Sequence, residues 1–247
     1  MQILETIAAA FSMFSAVPMP PTRTARYMLC AFPLVGLAIG LCCSAWGTLC
    51  GWLSLPAILR GAGWTLLPVV LTGGIHLDGY ADTVDALSSH APPARRREIL
   101  KDPHCGAFAV IRLCTYFIAC FALCTSLDSC RLMVPAFVLS RSLSGAALTL
   151  LPLSDASALA RTLVDASDVP RVRAILVAES CAAALALAIL GGVAGLLMLC
   201  AAAFVLRRYA VVARRDFDGA SGDLAGWFLQ RAELWMLAAL VFAEYAM

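Results

Sequence analysis

Three aspartates in the stretch from residue 72 to residue 108 have a type and a spacing that could do chemistry. Asp78, Asp82 and Asp85 follow each other at i, i+4 and i+7, which places them on one face of a helix. Carboxylates crowded on one face repel each other, and a divalent cation offsets that repulsion. Oxygen ligands suit Mg²⁺ or Mn²⁺ better than zinc. The spacing therefore predicts that all three are metal ligands in a phosphoryl-transfer site, where Mg²⁺ also contacts substrate phosphates.

The residues around these acids favour a ligand site over the simpler interpretation, which is a solvated acidic face of a helix. Gly73, Gly74 and Gly79 would allow a ligand to approach the backbone closely. The acids directly follow an apolar segment, where charge is expensive and tends to be functional. Basic residues that could neutralise phosphates follow soon after, at Arg95, Arg96, Arg97 and Lys101.

A histidine stands two residues before the first of these aspartates. His76 could act as a general base or donate a hydrogen bond to a phosphate. The alternative is a histidine at the membrane interface that holds a backbone carbonyl.

A second group of candidate residues lies near the C-terminus. Gly219 and Gly222 flank a short turn that leads to Asp223, and a glycine-rich loop that enters a helix offers backbone N–H groups to an anion. Asp223 could add a fourth carboxylate to the metal cluster. The alternative role is a helix N-cap at Ser221 or Asp223, and the two roles are compatible.

The composition indicates that membrane helices position these groups. Of the 247 residues, 62% are hydrophobic and 14% charged, and the mean hydropathy is +0.86, whereas soluble domains are about half apolar and about a quarter charged. The net charge of +2 gives no reason to expect a nucleic-acid partner. We predict an all-α, polytopic transmembrane helix bundle of six or seven spans that forms a single domain over residues 1–247.

Seven apolar segments approach the length of ~20 residues that a spanning helix needs. The fifth and sixth are predicted to meet in a tight turn at Gly191 and Gly192, and one long helix over residues 174–206 is the alternative. The predicted spans cover residues 28–53, 61–77, 107–127, 132–152, 174–190, 193–210 and 232–247.

The distribution of basic residues predicts the orientation, because Lys and Arg concentrate in cytoplasmic loops. With seven spans, residues 20–27, 78–106, 153–173 and 207–231 share one side and carry 14 of the 18 basic residues, Arg23 and Arg26 among them. The other side has only Arg60 and Arg131. We therefore predict a multi-pass protein of a prokaryotic cytoplasmic (inner) membrane whose acidic loops, and hence active site, face the cytoplasm.

One arginine falls in the middle of a predicted span. A charge at the position of Arg141 costs at least ~2.5–3.5 kcal/mol on insertion scales and so needs a partner. The expected partner is an acid of the 78–106 loop or a substrate phosphate.

Several of these motifs together resemble the cobalamin synthase family, also called adenosylcobinamide-GDP ribazoletransferases. The long run GGIHLDGYADTVDAL, followed by REILKDPHCGAF, is similar to the family's signature. FSMFSAVPMP and FPLVGLAIG resemble its N-terminal pattern, and GASGDLAGWFLQRAE resembles its C-terminal element. The resemblance covers most of the chain. Departures from the family pattern remove no carboxylate and occur at Ala86, Leu100, Ser221 and Trp227.

The resemblance implies a Mg²⁺-dependent membrane enzyme that joins adenosylcobinamide-GDP to α-ribazole, or to its 5′-phosphate, and releases GMP. This reaction is the last assembly step of cobalamin biosynthesis. It implies that Asp78, Asp82 and Asp85, with Asp223, hold the metal, and that His76 or an aspartate accepts a proton. Lys101 and Asp102 of the second motif join the site, and Lys101 and Arg141 would neutralise developing charge.

Two other functions compete with this prediction. CDP-alcohol phosphotransferases also place aspartates and glycines at a helix end near the membrane, but the residue after Asp78-Gly79-Tyr80-Ala81 is Asp82, where those enzymes have arginine. An ion or metal transporter would explain an intramembrane arginine, but it predicts paired repeats, which the two halves do not display. The sequence leaves open whether the chain forms oligomers.

Overall fold

The computed structural model describes residues 2–22, 26–154 and 157–246, so Arg23 and Met247 of the predicted loops and spans lie outside it. Within these ranges the chain is built from helices, and a single parallel bridge joins Leu153 and Ala220. A short 3₁₀ turn at Met28–Ala31 precedes α2. The helices are α1 (Gln2–Phe14), α2 (Phe32–Trp52), α3 (Ala57–Thr72), α4 (Ile75–Ser88), α5 (Pro93–Ile99), α6 (Ala107–Ser126), α7 (Met133–Leu150), α8 (Ala158–Asp165), α9 (Val169–Asp216) and α10 (Gly222–Ala246). The all-α prediction is confirmed.

Two glycines end α3 and turn the chain sharply into α4. Gly73 and Gly74 both have left-handed backbones, with φ of 64° and 80°, a conformation that glycine adopts without the steric penalty of a Cβ atom. The axes of α3 and α4 differ by 95°. The predicted span 61–77 is therefore wrong at its end, because residues 75–77 belong to α4. Hydropathy is continuous across this break and does not report it.

Helix α9 is two antiparallel helical segments joined at Gly192. Gly192 has φ 52° and ψ −124°, and a methyl group on Gly195 would overlap the carbonyl oxygen of Leu187. In a continuous helix these residues would be about 12 Å apart along the axis. The chain therefore reverses at the position where the sequence predicts a tight turn. The first segment runs beside α7, because Gly145 contacts Leu176 and Gly191 contacts Leu132.

The predicted cytoplasmic stretches meet on one face of the bundle, called the basic face below. Arg26 pairs with Asp168 at 3.2 Å, which joins residues 20–27 to 153–173. Arg96 pairs with Asp216 at 2.6 Å, which joins residues 78–106 to 207–231. The backbone N–H of Ser154 donates to the carbonyl of Ala220 at 2.9 Å. The charge count therefore groups these loops correctly.

The opposite face collects the remaining loops. Arg60 pairs with Asp128 at 3.2 Å, and Arg131 and Asp128 line one pocket there. Helix α10 connects the two faces: the N–H of Gly222 donates to the Ser157 hydroxyl on the basic face, and the Tyr245 hydroxyl donates to the Ser126 carbonyl at the other end.

The outer surface of the bundle is apolar. Large exposed side chains include those of Trp52, Ile118, Ile189, Leu190 and Phe242, as expected where a bilayer replaces water. Four helical stretches of the described residues are long and apolar enough to cross a membrane, and the bent α3–α4 pair makes a fifth. The fold is thus a polytopic membrane helix bundle, and the number of spans stays a prediction.

Candidate active site

The site is built where α4 crosses α10 on the basic face. A Cβ atom on Gly79 of α4 would lie 2.7 Å from the Cα atom of Asp223, and a Cβ atom on Gly226 of α10 would lie 2.9 Å from the carbonyl oxygen of His76. Each helix therefore has a glycine at the point where the backbone of the other helix packs closely against it. The close approach brings Asp223 beside the acidic face of α4.

Asp82 lies at the centre of the acidic cluster. Burial raises the pKa of Asp82 from 3.8 to about 6, and the charges of Asp78, Asp223 and Asp85 add to this rise. Burial, with the nearby charge of Asp78, also raises the pKa of Asp223. The predicted shared face of the three α4 aspartates is present, and the structure brings Asp223 to it.

Asp85 has a second role that the sequence did not reveal. Its carboxylate accepts a hydrogen bond from the backbone N–H of Ala109 at 3.2 Å and packs so tightly on Gly106 that a Cβ there would overlap it. Gly106 is the N-cap of α6, where backbone N–H groups lack helical partners. Asp85 thus caps α6 from a different helix, a long-range contact that local spacing does not reveal.

Two cavities meet at Asp78. An open cleft of about 550 Å³ is lined on one side of α4 by Gly73, Gly74, Asp78, Asp82, Pro103, Cys105 and Phe117. A more enclosed cavity of about 300 Å³ is lined by Phe14, Phe32, His76, Asp78, Ser144, Gly222 and Asp223. Asp78 and Ile75 border both. The acidic cluster therefore faces two separate spaces at once.

His76 lines the enclosed cavity. The side chain is 6% exposed, its ring lies 5.6 Å from that of Phe32 and 6.4 Å from that of Phe14, and Nε2 has no hydrogen-bond partner. The interpretation as an interfacial histidine that holds a carbonyl through this nitrogen is wrong.

The carboxylates fit Mg²⁺ in one of its two common binding modes. Across the described ranges, no three His, Cys, Asp or Glu side chains converge closely enough to hold a metal ion by themselves. Mg²⁺ is, however, usually bound by one or two carboxylates together with waters and substrate phosphates. Asp78 and Asp82 line one cleft and repel each other there, so the donor set fits this mode.

Arg141 has a different partner from the one expected. Its Nη1 donates to Glu233 Oε1 at 2.5 Å and to the Phe137 carbonyl at 3.1 Å, and its side chain is 1% exposed. The expectation of an acid in the 78–106 loop is wrong, because Arg141 faces α10. Glu233 was not identified from the sequence, although a glutamate within an apolar helix is itself a signal of pairing.

The loop after α5 carries the other predicted catalytic residues at the surface. Lys101 is exposed, and Asp102 accepts hydrogen bonds from the backbone and ring of His104 at 3.0 and 2.7 Å. Pro103 and Cys105 of this loop line the open cleft. Arg97 pairs with Asp218, and together with the Arg96–Asp216 pair this contact holds α5 to the end of α9. These two arginines are thus engaged by protein carboxylates.

The predicted ligand-binding glycines divide into two groups. Gly73, Gly74 and Gly222 line the cavities. Gly79 and Gly219 approach protein backbone instead of a ligand: Gly79 meets Asp223, and Gly219 meets Pro152 and Ser154. The N–H of Gly219 donates to the Ala213 carbonyl at 2.8 Å, so the anion-binding prediction is wrong for this residue. The N-cap prediction for α10 is confirmed at Ser221, whose hydroxyl accepts the N–H of Leu224.

Comparison with known proteins identifies the family. Residues 6–241 match the family model described as cobalamin-5-phosphate synthase. The adenosylcobinamide-GDP ribazoletransferase of Lachnoclostridium phytofermentans is 36% identical over 99% of this chain and 96% of its own length. The protein of the same name from Stutzerimonas stutzeri is 36% identical over 90% of this chain and 89% of its own.

No solved structure matches the chain significantly. The family match covers nearly every motif discussed above, and it identifies neither a CDP-alcohol phosphotransferase nor a transporter. The chain belongs to the cobalamin-5-phosphate synthase family.

Proposed function

We propose that this protein joins adenosylcobinamide-GDP to α-ribazole, or to its 5′-phosphate, and releases GMP. The observation that carries the proposal is the meeting of Asp78 and Asp82 with Asp223 at the α4–α10 crossing, between two cavities, in a chain of this family. Two adjoining spaces can hold the two substrates, and the carboxylates where they meet can hold the Mg²⁺ that assists phosphoryl transfer.

The reaction makes one bond and breaks one. A ribose hydroxyl oxygen of the ribazole attacks the phosphorus that is attached to cobinamide. The bond from this phosphorus to the oxygen of GMP breaks, GMP leaves with the electron pair, and the hydroxyl proton passes to a base. Catalysis of such transfers rests mainly on positioning and on neutralising charge.

Asp78 and Asp82 are the residues that would hold Mg²⁺. When bound, the ion supplies positive charge to the diphosphate and stabilises the departing GMP. Asp85 is engaged as the capping residue of α6, and its charge contributes to the negative field on Asp82.

Asp223 is the proposed proton acceptor. It lines the enclosed cavity, and its raised pKa brings its proton affinity closer to neutral pH, where a general base is more effective. Lys101, on the exposed loop beside the open cleft, would neutralise phosphate charge, and Asp102 fixes this loop through His104. Arg141 is paired with Glu233 inside the bundle, so we do not propose that it contacts a substrate.

The basic face is proposed to lie in the cytoplasm, with the chain as one multi-pass domain of the cytoplasmic membrane. The reason is that Lys and Arg are retained on that side of a membrane.

The test is a GMP-release assay on purified membranes with both substrates, with and without Mg²⁺. Wild-type protein is expected to release GMP only when both substrates and Mg²⁺ are present, and Asp82→Asn to release at least about 100-fold less. The matched control is Asp165→Asn, which removes an exposed carboxylate on α8 and should keep full activity. No GMP release by the wild type would refute the proposal.

A further inference from the structure

The enclosed cavity has an apolar end and an acidic end. Phe14, Phe32, Leu148 and Leu163 form apolar walls, whereas Asp78, Gly222 and Asp223 lie where the cavity meets the α4–α10 crossing. Its volume of about 300 Å³ is at the lower limit for small-molecule pockets. A ligand that matches it has a flat apolar body and a polar end, and is much smaller than a corrinoid.

Two polar side chains, those of His76 and Ser144, lie among these apolar walls. His76 is 6% exposed, stands beside the rings of Phe14 and Phe32, and has no hydrogen-bond partner at Nε2. Buried polar atoms of proteins are nearly always hydrogen-bonded, and an unpaired one is costly. A neutral imidazole carries one N–H, so His76 can provide a donor for a single acceptor on a ligand in this cavity once its ring turns to bring Nε2, which protein atoms now cover, to the cavity surface.

The two substrates of the proposed reaction differ in the base they carry. Guanine has several donors and acceptors along its edges, and an apolar wall would leave most of them unpaired. The base of ribazole is an alkylated benzimidazole whose only exposed ring acceptor is one unsubstituted nitrogen. The cavity, with aromatic walls and few polar side chains, matches the second base.

We propose that the enclosed cavity is the binding site of the benzimidazole nucleoside, with the base against Phe14 and Phe32 and its free ring nitrogen accepting a hydrogen bond from His76 Nε2. This inference rests on the proposed function for the identity of the substrate. His76 is then a residue that selects the benzimidazole ring, and it is not the proton acceptor of the reaction.

This placement also indicates where each reacting group lies. The ribose points to the acidic end, so its hydroxyl lies beside Asp223, which lines the same cavity. The diphosphate of the second substrate occupies the open cleft along Asp78 and Asp82. Because Asp78 borders both spaces, the new bond between oxygen and phosphorus forms beside it.

The hydrogen bond is tested with two nucleosides that differ in one atom. Benzimidazole riboside has the ring nitrogen, and indole riboside has a C–H in its place. Equilibrium dialysis with the purified full-length protein should give about five- to tenfold tighter binding of benzimidazole riboside. His76→Leu should reduce this preference to less than about twofold, whereas His76→Gln, which keeps an N–H donor, should retain most of it.

The aromatic wall is tested by steady-state kinetics. Phe14→Ala should raise the KM for α-ribazole by about five- to tenfold and leave the KM for adenosylcobinamide-GDP within about twofold, a split that simple loss of folded protein would not produce. Phe242→Ala, which removes an exposed phenyl ring on the outer surface of α10, is the matched control and should change neither KM.

The outcomes separate this inference from the proposed function. GMP release by the wild type together with equal binding of the two ribosides would overturn the His76 assignment and leave the proposed function standing. A rise in the KM for adenosylcobinamide-GDP in Phe14→Ala would assign the cavity to the other substrate. A wild type that prefers benzimidazole riboside but releases no GMP would support the nucleoside site and refute the transferase.

Discussion

Gly79 of α4 lies directly against the backbone of Asp223 of α10, so closely that a Cβ atom would be 2.7 Å from the Asp223 Cα atom. A larger residue at position 79 would force the two helices apart. The contact therefore determines how near the acidic face of α4 comes to the N-terminus of α10. The separation of the carboxylates, and with it the shape of both cavities, thus depends on the absence of a Cβ atom at Gly79.

Gly79→Ala is therefore expected to reduce kcat/KM at least about tenfold, because overpacking of a close contact costs about 1–3 kcal/mol and is relieved by moving the helices apart. Gly51→Ala is the matched control, since nothing lies within 4 Å of a Cβ at that glycine, and it should keep wild-type kinetics. GMP-release assays on both variants in purified membranes provide the comparison. Unchanged kinetics in Gly79→Ala would show that the crossing does not control the site.

Loss of either partner of the Arg141–Glu233 pair is expected to destabilise the bundle more than loss of both partners. Its side chains are 1% and 7% exposed, so removal of one partner leaves a buried charge at a cost of about 3–5 kcal/mol. Arg141→Met and Glu233→Leu should each lower the unfolding midpoint in detergent, and the double variant should recover most of the loss. Additive losses in this cycle would contradict the pairing.

The sequence predicts the features that depend on spacing along one helix, but it does not predict the contacts between helices. The shared face of Asp78, Asp82 and Asp85 follows from helix geometry alone, and the grouping of the basic loops follows from the membrane. The Glu233 partner of Arg141 and the Asp85 cap of α6 depend on how α7, α10, α4 and α6 are rotated about their axes. Those rotations are set by packing of the whole bundle, which no local pattern records.

The same distinction applies to the glycines. Gly73, Gly74, Gly79, Gly219 and Gly222 were each expected to admit a ligand, and a glycine does allow a neighbour to approach the backbone closely. It does not indicate what approaches. At Gly79 the neighbour is Asp223, and at Gly219 it is the backbone of residues 152–154. These two glycines therefore allow close packing of the protein backbone and do not face a ligand.

The raised pKa of Asp82 predicts that its carboxylate destabilises the metal-free protein at neutral pH. Burial and the nearby aspartates raise this pKa from 3.8 to about 6, so the native state favours the protonated form. The resulting stabilisation is complete below pH 3.8 and is lost as the pH rises through about 6. A shift of this size corresponds to ~3 kcal/mol, which solvent screening at a partly exposed group reduces to ~1 kcal/mol.

Asp82→Asn, which imitates the protonated acid, should therefore unfold at a higher temperature than the wild type above pH 6 in the presence of EDTA, and the two should converge below pH 4. Millimolar Mg²⁺ should narrow the gap at pH 7.5 by stabilising only the wild type. The measurement is thermal unfolding in detergent over this pH range. A variant that is less stable than the wild type at pH 7.5 would contradict the acidic cluster.

The orientation is tested through Cys105, an exposed thiol in the loop that borders the open cleft. If the basic face lies in the cytoplasm, a charged, membrane-impermeant maleimide should label the protein in inside-out vesicles and not in spheroplasts, and Cys105→Ser should abolish most of this labelling. Arg131, exposed on the opposite face, provides the reciprocal control. Arg131→Cys in the Cys105→Ser background should be labelled in spheroplasts, and labelling of Cys105 there instead would reverse the assigned orientation.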